Sequence, residues 1–148
     1  MAAITKFDTK GMGSLYILRN VTAQSGAGQT DWVSPPEWAT NAIVHLSLTT
    51  VAGTTPEFDL VILDANPVLK DDGSVENFAG WDGITQLTGA DEIIIYIGPG
   101  ITGIADDDTA AVYKINSPLS PLMGFKVTLD DTTGDEEYDY SLSVSWRR

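Results

Sequence analysis

The sequence predicts an all-β fold, an antiparallel β-sandwich that is jelly-roll-like and carries an extended N-terminal arm. Three observations lead there. At the C-terminus, Tyr138, Tyr140, Leu142, Val144 and Trp146 alternate with Asp139, Ser141, Ser143, Ser145 and Arg147. A period of two sets the bulky side chains on one face and the polar ones on the other, which is the signature of a half-buried strand. Similar segments recur along the chain, separated by Gly, Pro and Asp signals about every ten residues, the spacing of sandwiches and barrels. Finally, no segment sustains apolar residues at helical spacing, so helix content is expected to be low.

Taken in order, residues 1–13 are polar and broken by Gly11 and Gly13, and read as the arm; residues 14–148 read as one sandwich domain. A first strand is expected over 14–20, then a small, glycine-rich loop over 22–28. Residues 30–33 form a short strand that must stop at Ser34-Pro35-Pro36, because proline cannot donate to a central ladder. Over 42–51, Ala42, Val44, Leu46 and Leu48 face inward while Ile43, His45, Ser47 and Thr49 face outward. After the turn at Ala52-Gly53-Thr54-Thr55-Pro56, Phe58, Leu60 and Ile62 mark the inner face of the next strand, over 57–64. Residues 75–84 and 85–87 read as short strands or edges, with Phe78 and Trp81 reaching the core. Residues 92–97 are apolar on both sides, which suits a strand covered on both faces. The remaining strands are expected over 111–116 and 123–130, before the alternating C-terminal segment.

Composition narrows the function classes. The chain has 148 residues, enough for one domain that buries roughly 70% of its unfolded surface. It contains no cysteine, which excludes disulfides and thiolate zinc sites. Residues 1–13 hold no apolar run like a signal peptide, and no segment approaches a membrane span in length. The formal net charge is −13, with 4 basic and 8 acidic side chains in residues 1–74 and 4 and 13 in residues 75–148. Such a surface repels phosphate backbones, so neither nucleic acid nor a membrane is an expected partner.

No catalytic, cofactor or metal site is expected. His45 is the sole histidine and sits on an outward strand face with only Ser47 and Thr49 beside it, without the buried carboxylate of a catalytic triad. The acidic runs at 106–108 and 130–137 lie in turns, and the second lacks the ligand spacing of a calcium loop. Gly98-Pro99-Gly100 and Gly11-Met12-Gly13 lack the lysine and following helix of a phosphate loop. Trp32 and Trp38 flank Ser34-Pro35-Pro36-Glu37 outside the strong strands. Their readings are a cap that buries both rings, a sugar-stacking platform, or a subunit contact.

Read as a series, several segments resemble the β-sandwich decoration, or cement, proteins of tailed bacteriophage capsids. The segments are Thr30–Val33, Ala42–Thr49, the run Val51-Ala52-Gly53-Thr54-Thr55-Pro56-Glu57-Phe58-Asp59-Leu60-Val61-Ile62, Trp81, Ile84-Thr85-Gln86-Leu87 and Gly124-Phe125-Lys126-Val127-Thr128-Leu129. The final serine-alternating strand completes the series. Two positions depart from the pattern: Lys126 stands where arginine is expected, and 130–137 is acidic where a Gly-Thr-Ser-Pro turn is usual. The resemblance implies a non-enzymatic virion protein on the outer capsid surface. Its partner would be the major capsid protein, and it would form a homo-oligomer, with a trimer favoured. Docking is expected through Lys6 and Lys10 of the arm, rare cations in an acidic chain, and through Trp32 and Trp38. The competing expectations are a carbohydrate-binding module built on the two tryptophans and a tail or neck component of a virion.

Overall fold

Strand-forming alternation in the sequence becomes ten strands in the computed structural model, which describes residues 5–8, 14–24, 30–65, 78–100, 111–129 and 133–148. They are β1 Thr5–Asp8, β2 Ser14–Gln24, β3 Thr30–Val33, β4 Asn41–Ala52, β5 Phe58–Ala65, β6 Phe78–Leu87, β7 Asp91–Gly98, β8 Ala111–Asn116, β9 Leu122–Leu129 and β10 Glu137–Arg147. One sheet has the order β1-β2-β10-β4-β7-β8 and the other β3-β9-β5-β6. If the outermost β1 and β8 are set aside, the first sheet reads β2-β10-β4-β7. Two four-stranded sheets in these orders form a jelly roll, so the expected architecture holds. β1 and β8 extend the larger sheet at its two edges.

One pairing departs from the antiparallel expectation. β8 runs parallel to β7, with Ile93 opposite Ala111 and Gly98 opposite Asn116. Parallel neighbours need a crossover of about a dozen residues, and the link over 99–110 supplies that length. Two boundaries and one burial pattern also differ. β2 continues to Gln24, into the expected loop; β6 is one strand instead of two pieces; and β7 is not covered on both faces. Its Ile93, Ile95 and Ile97 are buried, but Ile94 and Tyr96 are only half-buried. Their shelter comes from register neighbours: His45 and Val112 flank Ile94, while Ile43 and Lys114 flank Tyr96. Within the arm, Thr5–Asp8 pair with β2, and the rest of 1–13 lies outside the described residues.

The core fills the space between the sheets. Ala42, Val44, Leu46 and Leu48 of β4 face it together with Tyr138, Tyr140, Leu142, Val144 and Trp146 of β10, all at most 2% exposed. Phe58, Leu60 and Ile62 of β5 and Met123, Phe125, Val127 and Leu129 of β9 close it from the other sheet. Each large apolar side chain buried in this way contributes roughly 1.5–3 kcal/mol. β10 lies between β2 and β4 and is paired on both sides along its length.

The buried hydroxyl of Tyr138 is tied into the backbone. The Tyr138 hydroxyl accepts from Glu57 N at 3.0 Å and donates to Glu57 O at 3.1 Å, joining the chain just before β5 to the start of β10. The β4–β10 register slips between Asp139 and Tyr140. There Thr49 Oγ1 donates to Asp139 O at 3.1 Å, supplying a hydrogen bond at the irregularity.

Candidate interaction surfaces

The four residues expected to dock fall in different places. Lys6 is in β1, opposite Tyr16 of β2, while Lys10 lies outside the described residues. Trp32 lies in the short strand β3 and pairs with Gly124 of β9. Its indole lies so close over Gly124 that a Cβ there would come within 2.6 Å of the ring. Glycine at 124 is therefore what lets the ring settle on the strand. Trp38 is half-buried against the core, and its ring faces the Arg148 guanidinium at 5.5 Å, within cation–π range. Thr40 N donates to Arg147 O at 2.8 Å, so the segment carrying Trp38 is fastened to the end of β10. Both rings are thus packed against protein atoms. Trp38 fits a cap, and Trp32 covers β9 from the edge strand.

The outward face of β4 holds a cluster that single-strand patterning did not reveal. Strand register sets Ser47 opposite Glu92 of β7, with His45 one pleat away on the same face. His45 Nε2 lies 2.8 Å from Glu92 Oε2, and Ser47 Oγ donates to Glu92 Oε1 at 2.5 Å. Burial alone would raise the Glu92 carboxyl, but the hydrogen bonds from Ser47 and His45, and the charge on His45, hold it below its ordinary value. The serine proton goes to the carboxylate and not to the imidazole, so the trio does not activate a nucleophile. Side-chain exposures of 49% and 44% for His45 and Glu92 leave their ion pair well screened. What the cluster does is clip β4 to β7.

A second polar cluster joins the turn after β4 to the turn before β10. Asp135 Oδ1 accepts from Thr54 N at 3.1 Å and Thr133 Oγ1 at 2.6 Å, while its Oδ2 accepts from Thr54 Oγ1 at 2.6 Å. Glu136, 1% exposed, accepts through Oε1 from Thr55 Oγ1 at 3.2 Å and from Thr133 N at 3.3 Å, and shares the one Thr133 hydroxyl proton with Asp135 Oδ1. Three donors, the Thr133 and Thr54 hydroxyls and Thr54 N, pull the Asp135 carboxyl down to about 2. The Thr133 hydroxyl is the main cause of lowering at Glu136 as well. This half of the acidic run therefore works as a staple between turns. Among the described residues, no group of three or more His, Asp or Glu side chains is arranged to hold a metal ion. The run at 106–108 lies outside the described residues.

The staple predicts a pH dependence. Both carboxyls ionise more readily folded than unfolded, so their contribution is complete above the ordinary carboxyl range of about 4. It is lost as pH falls through the depressed folded values, near 2 for Asp135. Protonating the other acids works in the opposite sense by relieving self-repulsion, so the test is a comparison. Asp135→Asn should melt below the wild type at pH 6, and the gap should close by pH 2. A gap that is constant across calorimetric scans in that range would contradict the assignment.

Comparison of the chain with protein families, with curated proteins and with solved structures found no match. Function therefore has to be argued from the chain's own residues.

Proposed function

We propose that this chain is a non-enzymatic virion protein that decorates the outer surface of a phage capsid and stabilises it by binding neighbouring major capsid subunits. The observation that carries the reading is the jelly-roll strand order with an added strand at each edge of the larger sheet. Jelly rolls recur in viral capsid proteins and lectins, so the support is an analogy of fold. Two further observations agree with it. Both carboxylate oxygens of Glu92 and Asp135, and Oε1 of Glu136, hold strands and turns together. The net charge of −13 suits a position facing solvent and not packaged nucleic acid.

Binding to the assembled shell and not to free subunits would stabilise the shell by mass action, by about 2.7 kcal/mol at a hundredfold excess over Kd. A trimer would spread those contacts evenly by closed symmetry. The experiment is co-sedimentation of the purified protein with shells of the major capsid protein. Saturable binding that raises the shell's melting temperature is expected; failure to sediment with shells would overturn the proposal. Among the described residues, a chain lacking residues 1–13 loses β1 from a sheet edge, so it should fold and fail to bind. If it binds normally, docking through Lys6 and Lys10 is refuted. Lost binding on Trp32→Ala in a protein that still melts cooperatively would assign the β3 edge to the contact.

A further inference from the structure

A cavity of about 190 Å³, partly open to solvent, lies where β5, β6 and β9 of one sheet meet β7 and β8 of the other. Its walls include Ile62, Ile97 and Met123, each no more than 5% exposed, together with Trp81 and Ile115. Trp81 is braced edge-on by Tyr113, with ring centroids 5.8 Å apart at 72°. The polar lining is uneven. Ser120 Oγ donates to Leu122 O at 2.6 Å and Ser117 Oγ to Pro118 O at 3.3 Å, so both hydroxyl protons are spent. Asp64 is different. It continues the inward register of Phe58, Leu60 and Ile62, and it pairs across the ladder with buried Met123. Strand alternation therefore aims a carboxylate between the sheets, at their open end. Asp64 is exposed, and among the described residues no hydrogen-bond or ion-pair partner holds it.

We infer that this cavity is a receptor for one lysine side chain of a partner protein, with the aliphatic stem against Trp81, Ile97 and Met123 and the ammonium on Asp64. The size fits, because an apolar cavity of about 150 Å³ already admits a benzene-sized guest. The chemistry fits as well. A lysine stem prefers apolar walls while its charged head seeks the rim, and an unspent carboxylate at that rim selects the cation over a neutral or anionic tip. The chain's net charge of −13 draws cations towards the surface in general. This inference does not depend on the proposed capsid role, and it is tested on the isolated protein.

The probes are lysine and norleucine, each capped at both ends, with n-butylamine as a free-amine control. The reporters are the methyl signal of Met123 in protein labelled at its three methionines and the indole N–H signal of Trp81. Capped lysine should shift both signals saturably and bind about fivefold more tightly than capped norleucine, the upper range for a solvent-exposed ion pair. Asp64→Asn should erase that difference while leaving norleucine binding unchanged. Equal binding of the two capped residues, or no shift at either reporter, would overturn the inference. So would binding of n-butylamine with capped lysine silent, which would assign the cavity to a free amine.

Discussion

Phe58→Ala should lower thermal stability by about 3–5 kcal/mol, the usual cost of truncating a fully buried phenylalanine. For a domain of this size that corresponds to a fall of roughly 10 °C in Tm. Phe58 is 0% exposed and opens β5, where its ladder partners are Leu129 and Leu87. Across the gap between sheets, its ring meets Tyr140 edge-on, with centroids 5.0 Å apart at 71°, and Tyr138 at 6.3 Å and 49°. Truncation removes both aromatic contacts and leaves a void, because Tyr138 is fixed through its hydroxyl to Glu57 and cannot swing to fill it. Phe58→Leu keeps most of the volume and should lose distinctly less. Thr85→Ala, at an exposed site, should stay within about 0.5 kcal/mol of the wild type. Denaturant unfolding of the three variants checks the ranking. A Phe58→Ala loss under about 1 kcal/mol would mean that the sheets do not close over this ring.

Phe58 also marks the boundary of what the sequence makes legible. Its strand and inward face are readable because Phe58, Leu60 and Ile62 alternate, and the same holds for Val44 in β4 and Tyr140 in β10. Alternation encodes which way a side chain points, because one face of each strand is buried. It does not encode which strand is the neighbour. That Tyr140 lies beside Leu48, and across the core from Phe58, depends on pairings more than eighty residues apart along the chain. The Glu92 clip escapes a sequence reading for the same reason: His45 is plainly outward, but its partner is 47 residues away and is brought in by register. The Asp135 staple looks like a generic acidic turn until Thr54, 81 residues earlier, is seen beside it. β7 misleads in another way. Its unbroken isoleucines suggest cover on both faces, whereas Ile94 and Tyr96 are sheltered sideways by Val112 and Lys114 of the parallel β8. Trp32 reads as lying outside the strong strands because four residues are too few to display a period. What fixes it in place is Gly124 beneath its ring.

Gly53→Ala should be the most damaging glycine-to-alanine change in the turns among the described residues. Gly53 has φ +124°, a conformation that side-chain-bearing residues rarely adopt. A Cβ at this position would also lie 2.8 Å from Glu136 Cα and 3.0 Å from Asp135 O. Both are backbone atoms and cannot rotate aside. Backbone strain of this kind costs on the order of 1–3 kcal/mol, and the clash adds to it by forcing the two turns apart. Separation would pull the Thr54 and Thr55 hydroxyls away from Asp135 and Glu136, so the depressed carboxyls should drift up towards ordinary values. Gly53→Ala should therefore lose stability at neutral pH and also flatten the acid limb of the stability profile. Gly134 provides the control. Its φ is +77°, but nothing lies within 4 Å of a Cβ built there, so Gly134→Ala carries the conformational penalty without the collision. Urea unfolding at pH 6 and pH 3 separates the two effects. Gly134→Ala should shift both curves equally, whereas Gly53→Ala should shift the pH 6 curve more than the pH 3 curve. If the two variants behave alike, the close approach of the turns is not what joins the carboxylates of one to the threonines of the other.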